Sequence, residues 1–334
     1  MIELTFREVI RETMREEMRR DKSIFLIGTD VGPYGGEFRV SGNLYDEFGE
    51  WRVKDTPISE QGIIGCAVGA AITGCRPIAE IPFNDFITMP MDQIVNQAAK
   101  FCYTFGGQTA VPLVIRTAIG GYIRAAEQHS QCLEAWFTHV PGLKVVAPST
   151  HYDVKGLLKS AIRDNNPVIF IEHKYMYPMK GVIPEEEYTI PLGVGDIKKE
   201  GKDVTLISYS YLIHKCLNVA KRLENEGISV EVVDPRTLVP LDKKIILDSI
   251  KKTGKVVIAH EAHLRGGFGA EIAAIIADEG FEYLDAPIKR VGAKDAPIPF
   301  PSYLEDVVLP QEDDIEKAIR EIIWNFKCFI MFWS

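Results

Sequence analysis

Hydrophobic residues in this chain alternate between short unbroken runs and longer stretches in which they recur at helical spacing. Unbroken runs are typical of strands buried in a parallel sheet, and amphipathic stretches predict helices that cover its two faces. The strands predicted in the first half of the chain are residues 23–28, 77–82, 111–116, 143–147 and 168–172. One predicted helix begins at the capping box of Thr5 and Glu8, and a second begins near Ser59. Three more helices are predicted at residues 91–105, 130–138 and 152–163. Residues 31–54 are predicted as a loop that holds at most one helix. This alternation favours an α/β fold.

The pattern changes between residues 176 and 202, where proline, glycine and acidic residues accumulate. A second, smaller set of strands (204–208, 229–233, 255–259) and helices (211–226, 242–253, 269–277, 313–326) follows. We therefore expect a first domain at residues 1–182, a connection at 183–202 and a smaller α/β domain at 203–326. Residues 327–334 form an apolar tail that is too short to span a bilayer, and its role stays open.

Composition narrows the classes of protein that this chain can represent. Its 334 residues agree with two domains, and 46% hydrophobic residues provide an ample core. The net charge of -9, without a block of lysine or arginine, argues against a nucleic acid or an anionic membrane as partner. The six cysteines lack a Cys-x-x-Cys pair, which predicts reduced thiols. The N-terminus lacks the apolar core of a signal peptide, and no stretch approaches the roughly 20 apolar residues of a membrane helix. We expect a cytoplasmic protein.

The run from Asp55 to Gly62 presents one carboxylate, Glu60, just before a tract of small and apolar residues. Ser59 is placed to cap the following helix, which would put Glu60 in the first turn, where the helix dipole favours an anion. Small residues allow a backbone, a flat ring or a second subunit to approach closely. Two interpretations stay open: a solvated glutamate at an ordinary helix start, and a carboxylate in a dry crevice that performs acid–base chemistry.

His129 follows a predicted strand and the Gly120–Gly121 turn, and precedes a predicted helix. This position is the carboxyl edge of a parallel sheet, where the active sites of open α/β sheets collect. Imidazole titrates near neutral pH and can both donate and accept a proton in one cycle. The alternative is an ordinary histidine in a surface loop.

Three other motifs carry weaker signals. His260 and His263 are three residues apart at a strand end, whereas the metalloprotease pattern needs four on a helix, so zinc is not expected. The glycines at 266–269 lack the remaining residues of a phosphate-binding loop. The turn at 164–167 is compatible with a plain turn and with a site for a hard monovalent cation, and the pattern does not choose between them.

Seven runs occur in an order that identifies a family. They are residues 55–60, 76–80, 84–86, 92–94, 128–131, 141–146 and 161–164, followed by 284–287 and 304–306. Together they resemble the beta subunit of the thiamine-diphosphate-dependent decarboxylase component of 2-oxo acid dehydrogenase complexes. The resemblance covers residues 1 to 325. It implies a pyrimidine-binding parallel-sheet domain followed by a smaller transketolase C-terminal-like domain.

The resemblance also implies roles for particular residues. Glu60 matches the glutamate that hydrogen-bonds the aminopyrimidine ring of thiamine diphosphate, and Ile58 and Phe86 match residues that contact this ring. His129 matches the histidine that moves protons on the substrate-derived intermediate and in transfer to the lipoyl group. A potassium site is implied at Leu113, Ala161, Ile162, Asp164 and Asn166.

The chain lacks the Gly-Asp-Gly motif through which this family holds magnesium and the diphosphate. The resemblance therefore implies an alpha subunit that supplies magnesium and completes an α2β2 assembly, with a lipoyl-bearing acyltransferase as acceptor. The substrate is expected to be a small 2-oxo acid or acetoin. The alternatives are half of a split transketolase and a non-catalytic structural subunit. Thr29 replaces the usual glutamate of a proton path between paired sites, which puts that path in question unless Asp30 substitutes.

Overall fold

The computed structural model describes residues 1–331, which form three sheets flanked by helices. The strands are β1 Ile2–Thr5, β2 Ile24–Thr29, β3 Val53–Thr56, β4 Arg76–Ile81, β5 Val114–Ile119, β6 Lys144–Val146, β7 Val168–His173, β8 Lys180–Ile183, β9 Asp196–Lys199, β10 Val204–Ile207, β11 Val230–Asp234, β12 Thr237–Val239, β13 Val256–His263 and β14 Lys289–Ala293. The helices are α1 Phe6–Arg20, α2 Leu44–Phe48, α3 Glu60–Ile72, α4 Phe101–Thr104, α5 Glu134–Thr138, α6 His151–Arg163, α7 Leu212–Glu224, α8 Lys243–Thr253, α9 Phe268–Glu279, α10 Ser302–Val308 and α11 Glu312–Met331.

The larger sheet has seven strands in the order β12-β6-β7-β5-β4-β2-β3 and is parallel except for β12. Its strands are buried on both faces because α1 and α6 cover one side and α3 covers the other. The α1 face presents Phe6, Ile10 and Met14 to the sheet at helical spacing. The carboxyl ends of the parallel strands consequently meet at one edge, where the candidate site lies.

The smaller sheet has five strands in the order β14-β13-β10-β11-β9. Strand β9 pairs antiparallel with β11 at one edge, and the other pairs are parallel. Helices α7 and α11 cover one face, and α8 and α9 contribute residues to the core on the other. The predicted α/β class, with a parallel-sheet domain followed by a smaller α/β domain, is confirmed.

The two sheets are more closely joined than the sequence pattern indicated. Strand β12 follows the second sheet's strand β11 in the chain but pairs with β6 at the edge of the first sheet. The stretch predicted as a connection, residues 183–202, contains β9 of the second sheet. The loop predicted at 31–54 contains the expected helix, α2, and also the start of the unpredicted strand β3.

Two predicted helices need correction. The helix expected at 91–105 is divided into a π-helix at Gln93–Ala98 and the short helix α4. The helix expected at 130–138 begins only at Glu134. The backbone N–H groups of Gln131 and Leu133 donate to the side chains of Asp85 and Asn84, at 3.2 and 3.0 Å, which holds the preceding residues in a non-helical loop.

Helix α11 runs to Met331, so residues 327–331 of the predicted apolar tail are helical, whereas residues 332–334 lie outside the described residues. Within residues 1–331, no helix combines the length and the apolar character needed to cross a membrane.

Candidate active site

Glu60 is the first residue of α3 and is half-buried. Ser59 occupies the N-cap position, and its carbonyl accepts the Ile63 N–H at 2.8 Å, but its hydroxyl makes no capping bond. The predicted side-chain cap is therefore absent. The Glu60 carboxylate has no hydrogen-bond or ion-pair partner within residues 1–331. It lies at the positive end of α3 and is free to take a donor from a ligand.

The small residues behind Glu60 form an open face of α3. Ile63, Ile64 and Ala67 are buried against the sheet, whereas Gly62, Cys66 and Gly69 are exposed. A Cβ added at Gly69 would meet no atom within 4 Å. The dry crevice expected around Glu60 is thus not closed by this chain alone. Ile58, at the lip of the same surface, is 80% exposed.

Phe86 and His129 meet in an aromatic cluster that Phe83 completes. The His129 ring centroid lies 4.7 Å from that of Phe83 and 5.3 Å from that of Phe86, with both pairs edge to face. Phe86 lies in the 3₁₀ turn Asn84–Thr88, directly after β4. Gln61, next to Glu60, donates to the carbonyl of Met89 at 3.1 Å, which ties the start of α3 to the segment carrying Phe86. The fold therefore gathers Glu60, Phe86 and His129 along one edge of the sheet.

The placement of His129 differs from the sequence expectation in one respect. It does not directly follow the strand, because residues 120–133 form a long loop between β5 and α5. The sequence of this loop resembled a helix start. The helix begins only after Leu133, because the backbone N–H groups of Gln131 and Leu133 donate to the side chains of Asp85 and Asn84.

Sequence reasoning missed Lys174, a buried lysine near this cluster. Its ammonium donates to the Ala118 carbonyl at 3.1 Å and lies 5.8 Å from the centroid of the Phe83 ring. Burial lowers the pKa of Lys174 to about 8, although the carboxylate of Asp85 opposes the shift. The signal available in the sequence was its position directly after β7, at the same carboxyl edge that holds the other site residues.

A second missed feature is the charge cluster around Arg116 in the middle of β5. Its guanidinium donates to both carboxylate oxygens of Glu172, at 2.6 and 2.8 Å, and to Glu80 at 2.5 Å. Tyr177 donates to the same Glu172 carboxylate at 2.7 Å. Burial raises the pKa of Glu80, while Arg116 opposes the shift. Bidentate pairing of this kind satisfies charges that would otherwise be costly to bury.

The five residues of the expected potassium site lie close together, at the C-terminal end of α6 and just before the strands β5 and β7. They are Leu113, Ala161, Ile162, Asp164 and Asn166. Most of their polar groups have partners within the chain. Arg76 donates to the carbonyls of Ile162 and Asp164 at 2.9 and 2.5 Å, and the Leu113 carbonyl accepts the Val168 N–H at 2.8 Å. The Asp164 carboxylate accepts from Asn166 and from Lys144. Burial raises the pKa of Asp164, but the hydrogen bond from Lys144 and the other donors outweigh burial and lower it.

The donor set fits the pyrimidine half of thiamine diphosphate. An aminopyrimidine ring has a polar edge and flat apolar faces, which match the carboxylate of Glu60 and the apolar surfaces of Ile58 and Phe86. In the part of the chain that the structure describes, no three histidine, cysteine, aspartate or glutamate side chains converge as ligands for a metal ion.

Comparisons with known proteins agree with the fold. The transketolase pyrimidine-binding domain family matches residues 2–180, and the transketolase C-terminal domain family matches residues 193–315. A solved structure described as a split-gene transketolase in an inactive beta4 tetramer superposes with a TM-score of 0.77. It is 24% identical and covers 96% of this chain and 98% of its own, a likeness that shows the fold alone. The protein is thus of the transketolase-like class whose pyrimidine-binding domain implies thiamine diphosphate.

Curated relatives narrow the class to a family. The beta subunit of acetoin:2,6-dichlorophenolindophenol oxidoreductase from Bacillus subtilis is 48% identical over 332 residues, covering 96% of this chain and 97% of the relative. The 2-oxoisovalerate dehydrogenase subunit beta from the same organism is 45% identical and covers 96% and 98%. The pyruvate dehydrogenase E1 component subunit beta of Rhizobium meliloti is 43% identical and covers 97% and 71%. The chain belongs to the family of E1 beta subunits of pyruvate, branched-chain 2-oxo acid and acetoin dehydrogenases, as its sequence motifs predicted.

Proposed function

We propose that this chain supplies the pyrimidine side of a thiamine-diphosphate active site that decarboxylates a small 2-oxo acid, or cleaves acetoin, and reductively acylates a lipoyl group. The observation that carries the proposal is the carboxylate of Glu60, which has no partner among the side chains that the structure describes, at the same sheet edge as the cluster of Phe83, Phe86 and His129. Family membership supports the reaction class. The assignment of Glu60, Ile58, Phe86 and His129 rests on their convergence at one sheet edge.

Glu60 is positioned to hold a proton at the polar edge of the pyrimidine ring. Bound thiamine diphosphate supplies a nucleophilic carbon, whose activation needs a ring nitrogen protonated by a neighbouring acid. Ile58 and Phe86 provide apolar surface for the faces of the ring. Enclosure by a partner keeps this proton shared between carboxylate and ring because water no longer competes for it.

His129 is positioned to donate and accept protons on the substrate side. Its ring is held edge to face against two phenylalanines, which limits its rotation without using its nitrogen atoms. Both nitrogens therefore stay available for substrate and for the arriving lipoyl sulfur. A cleft of about 370 Å³ lies along the loop that carries His129, between Gln128 and Gln131 on one side and the segment from Asp295 to Ile298 on the other, although His129 itself does not line it.

The active site requires an alpha subunit, and the assembly is α2β2 with magnesium held on the alpha side. The open face of α3, the exposed Ile58 and the half-buried Glu60 support this proposal, because one chain leaves the pyrimidine side uncovered. The subunit names of the relatives support it as well. The full reaction needs the lipoyl-bearing acyltransferase as acceptor, and the proposed location is the cytoplasm.

The decisive experiment is co-expression of this chain with the alpha subunit from the same source. Reduction of an artificial dye is then compared across pyruvate, branched-chain 2-oxo acids, 2-oxoglutarate and acetoin. We expect turnover of one of the first two classes or of acetoin, and none from the beta chain alone. Turnover by the isolated chain would contradict the half-site proposal.

Potassium binding at Leu113, Ala161, Ile162, Asp164 and Asn166 remains part of the proposal. The carbonyls of Leu113, Ile162 and Asp164 each keep a second lone pair beyond the bond that they already accept, which supports a cation at this corner. Thermal unfolding in potassium chloride and in sodium chloride at equal ionic strength tests this. A higher Tm in potassium is expected, and equal values would contradict the site.

A further inference from the structure

The loop that carries His129, residues 120–133, has an unusual backbone. We call it the His129 loop. Tyr122, Arg124 and Ala126 all have φ between 61° and 64°, in the left-handed region that non-glycine residues rarely adopt. A backbone of this kind persists only when surrounding contacts hold it in place. The question is which contacts do so.

Glu261, on β13 of the second sheet, holds the start of the loop. Its buried carboxylate accepts the Gly121 N–H at 2.6 Å with one oxygen and contacts Nε2 of His173 at 2.7 Å with the other. Nδ1 of His173 accepts the Tyr175 N–H at 3.1 Å, so Nε2 carries the hydrogen that His173 donates to Glu261. Burial raises the pKa of Glu261, but His173 and the other donors outweigh burial and lower it. The carboxylate is thus ionised and doubly bonded.

Glu305, on α10, holds the middle of the loop. Its carboxylate is fully buried and accepts the Arg124 N–H at 3.3 Å as well as the Arg124 guanidinium. Tyr122 donates its hydroxyl to the Pro310 carbonyl at 2.8 Å. A Cβ at Gly121 would lie 2.6 Å from the side chain of Leu309, the residue that follows α10, which shows how closely this part of the second domain approaches the loop.

The far end of the loop is fixed by the first domain. Asp85 accepts from both the backbone and the side chain of Gln131, at 3.2 and 2.9 Å. The Gly120 N–H donates to the Gln131 carbonyl at 3.3 Å and closes the loop on itself. His129 therefore lies between an end anchored to the first domain and a segment anchored to the second.

We propose that Glu261 and Glu305 are positioning residues through which the second domain holds the His129 loop in its strained backbone and sets the imidazole against Phe83. The inference rests on the proposed role of His129. Both carboxylates bond the backbone of this loop, and their proposed role is exerted only through it.

The test compares Glu305→Gln with Asp306→Asn in the assembled enzyme with its alpha subunit. Both side chains contact Arg124, but Asp306 is 49% exposed and contacts only the guanidinium, whereas Glu305 is buried and also bonds the loop backbone. A glutamine at 305 would turn its amide donors toward the guanidinium. Since misplacement by about 1 Å costs on the order of a hundredfold in rate, we expect kcat to fall about tenfold or more in Glu305→Gln. Asp306→Asn should stay within about twofold.

Two further readouts separate positioning from general damage. The affinity for thiamine diphosphate should stay unchanged in Glu305→Gln, because Glu60, Ile58 and Phe86 lie outside the loop. Combined with His129→Ala, the same change should cause no further loss of kcat, since the loop then carries no imidazole to position. A further multiplicative loss in that background would overturn the proposal.

Hydrogen exchange of residues 120–131 gives a measurement that does not depend on activity. The amides of this loop should exchange faster in Glu305→Gln than in Asp306→Asn, with the remainder of the chain unchanged. Unchanged exchange together with unchanged kcat would overturn the inference. If His129→Ala itself retains full activity, the proposed function of His129 fails, while the exchange measurement still decides whether Glu305 holds the loop.

A second variant covers the case in which Glu305→Gln does not fold. Tyr122→Phe removes only the hydroxyl that bonds Pro310 and leaves the half-buried ring in place. It should raise the exchange rate of the same segment and lower kcat, by a smaller factor than Glu305→Gln does. No change in either quantity would contradict the claim that the second domain positions the loop.

Discussion

Glu60 and Glu134 are each the first residue of a helix, but their surroundings give them different chemistry. Glu60 is half-buried and has no partner within residues 1–331, whereas Glu134 is buried and accepts the Tyr209 hydroxyl at 2.8 Å. Burial raises the pKa of Glu134 to about 7, although the Tyr209 hydrogen bond opposes the shift. The sequence pattern singled out only Glu60 as a candidate for acid–base chemistry. The raised pKa of Glu134 comes from its burial in the folded chain, which local sequence does not reveal, and the Tyr209 hydrogen bond only limits it.

Replacement of Glu60 by glutamine tests its role in acid–base chemistry. Glutamine keeps the shape of the side chain but cannot share a proton with the pyrimidine ring, so kcat of the reconstituted complex should fall by about 10²–10⁴. Dye reduction is the measurement, and Glu50→Gln, at an exposed glutamate, is the control. Full activity of Glu60→Gln would contradict the catalytic assignment and favour a non-catalytic structural subunit.

Glu134→Gln should change how stability depends on pH. Because the folded pKa of about 7 exceeds the ordinary 4.5, the wild-type protein loses stability as pH rises between these values. The cost of ionising the buried group reaches about 3 kcal/mol above pH 7. Glutamine still accepts the Tyr209 hydroxyl but does not ionise.

Urea unfolding at pH 5 and pH 8 measures this effect. The variant should match the wild type at pH 5 and exceed it in free energy of unfolding at pH 8. Glu271→Gln, at an exposed residue of α9, should leave the difference between the two pH values unchanged. An unaltered pH dependence in Glu134→Gln would show that Glu134 is not buried as an acid.

Helix α3 illustrates what hydrophobic patterning can and cannot predict about a single helix. The helix start near Glu60 followed from the sequence, but its small residues did not show whether this chain or another covers them. The segments 91–105 and 130–138 had helical patterns, yet the first became partly π-helical and the second lost its first turn. In the second case the cause is a pair of distant side chains, Asn84 and Asp85, which no local pattern reveals.

A larger residue on the open face of α3 should separate folding from assembly. In Gly69→Leu the Cβ meets no atom of this chain within 4 Å, and leucine favours the helix by about 1 kcal/mol over glycine. The isolated chain should therefore keep or gain stability, while association with the alpha subunit weakens because the close approach is blocked.

Thermal unfolding of the isolated chain and size-exclusion chromatography of the mixture are the two measurements. Ala274→Leu, at an exposed position of α9, serves as the control and should leave assembly intact. Normal assembly of Gly69→Leu would contradict the proposal that the α3 face is covered by a partner.

The whole molecule depends on contacts between domains that the sequence pattern did not reveal. The order of strands and helices was enough for the α/β class, since each element follows from local spacing. The return of β12 to the first sheet and the pairing of β9 were not predicted, because both strands are short and their partners are remote. The candidate site divides in the same way between what the sequence predicts and what it does not. Glu60, Phe86 and His129 were predicted from recognisable motifs, whereas the roles of Lys174 and Glu305 follow only from contacts in the folded chain.

Asp153, at the start of α6, lies at the centre of the contact between the domains. Its buried carboxylate accepts from Arg236 at 2.7 Å and from Lys198 at 2.5 Å, both contributed by the chain that follows the first domain. Burial raises its pKa, but Lys198 and Arg236 outweigh burial and hold it below the ordinary value. Its contribution to stability is therefore present above the unfolded pKa of 3.8 and is lost as pH falls through the folded value.

Asp153→Asn should consequently destabilise the whole molecule. Asparagine removes the buried carboxylate that Lys198 and Arg236 share, although Asp196 still contacts both cations and Asp234 lies 3.7 Å from Lys198. Leaving buried donors short of a partner costs about 1–3 kcal/mol. Urea unfolding at pH 7 is the measurement, with Glu224→Gln, which breaks only the exposed pair with Lys199, as the control. The control should change the free energy of unfolding by less than about 1 kcal/mol. Equal effects of the two variants would mean that the Asp153 network does not hold the domains together, because a buried and an exposed pair would then contribute alike.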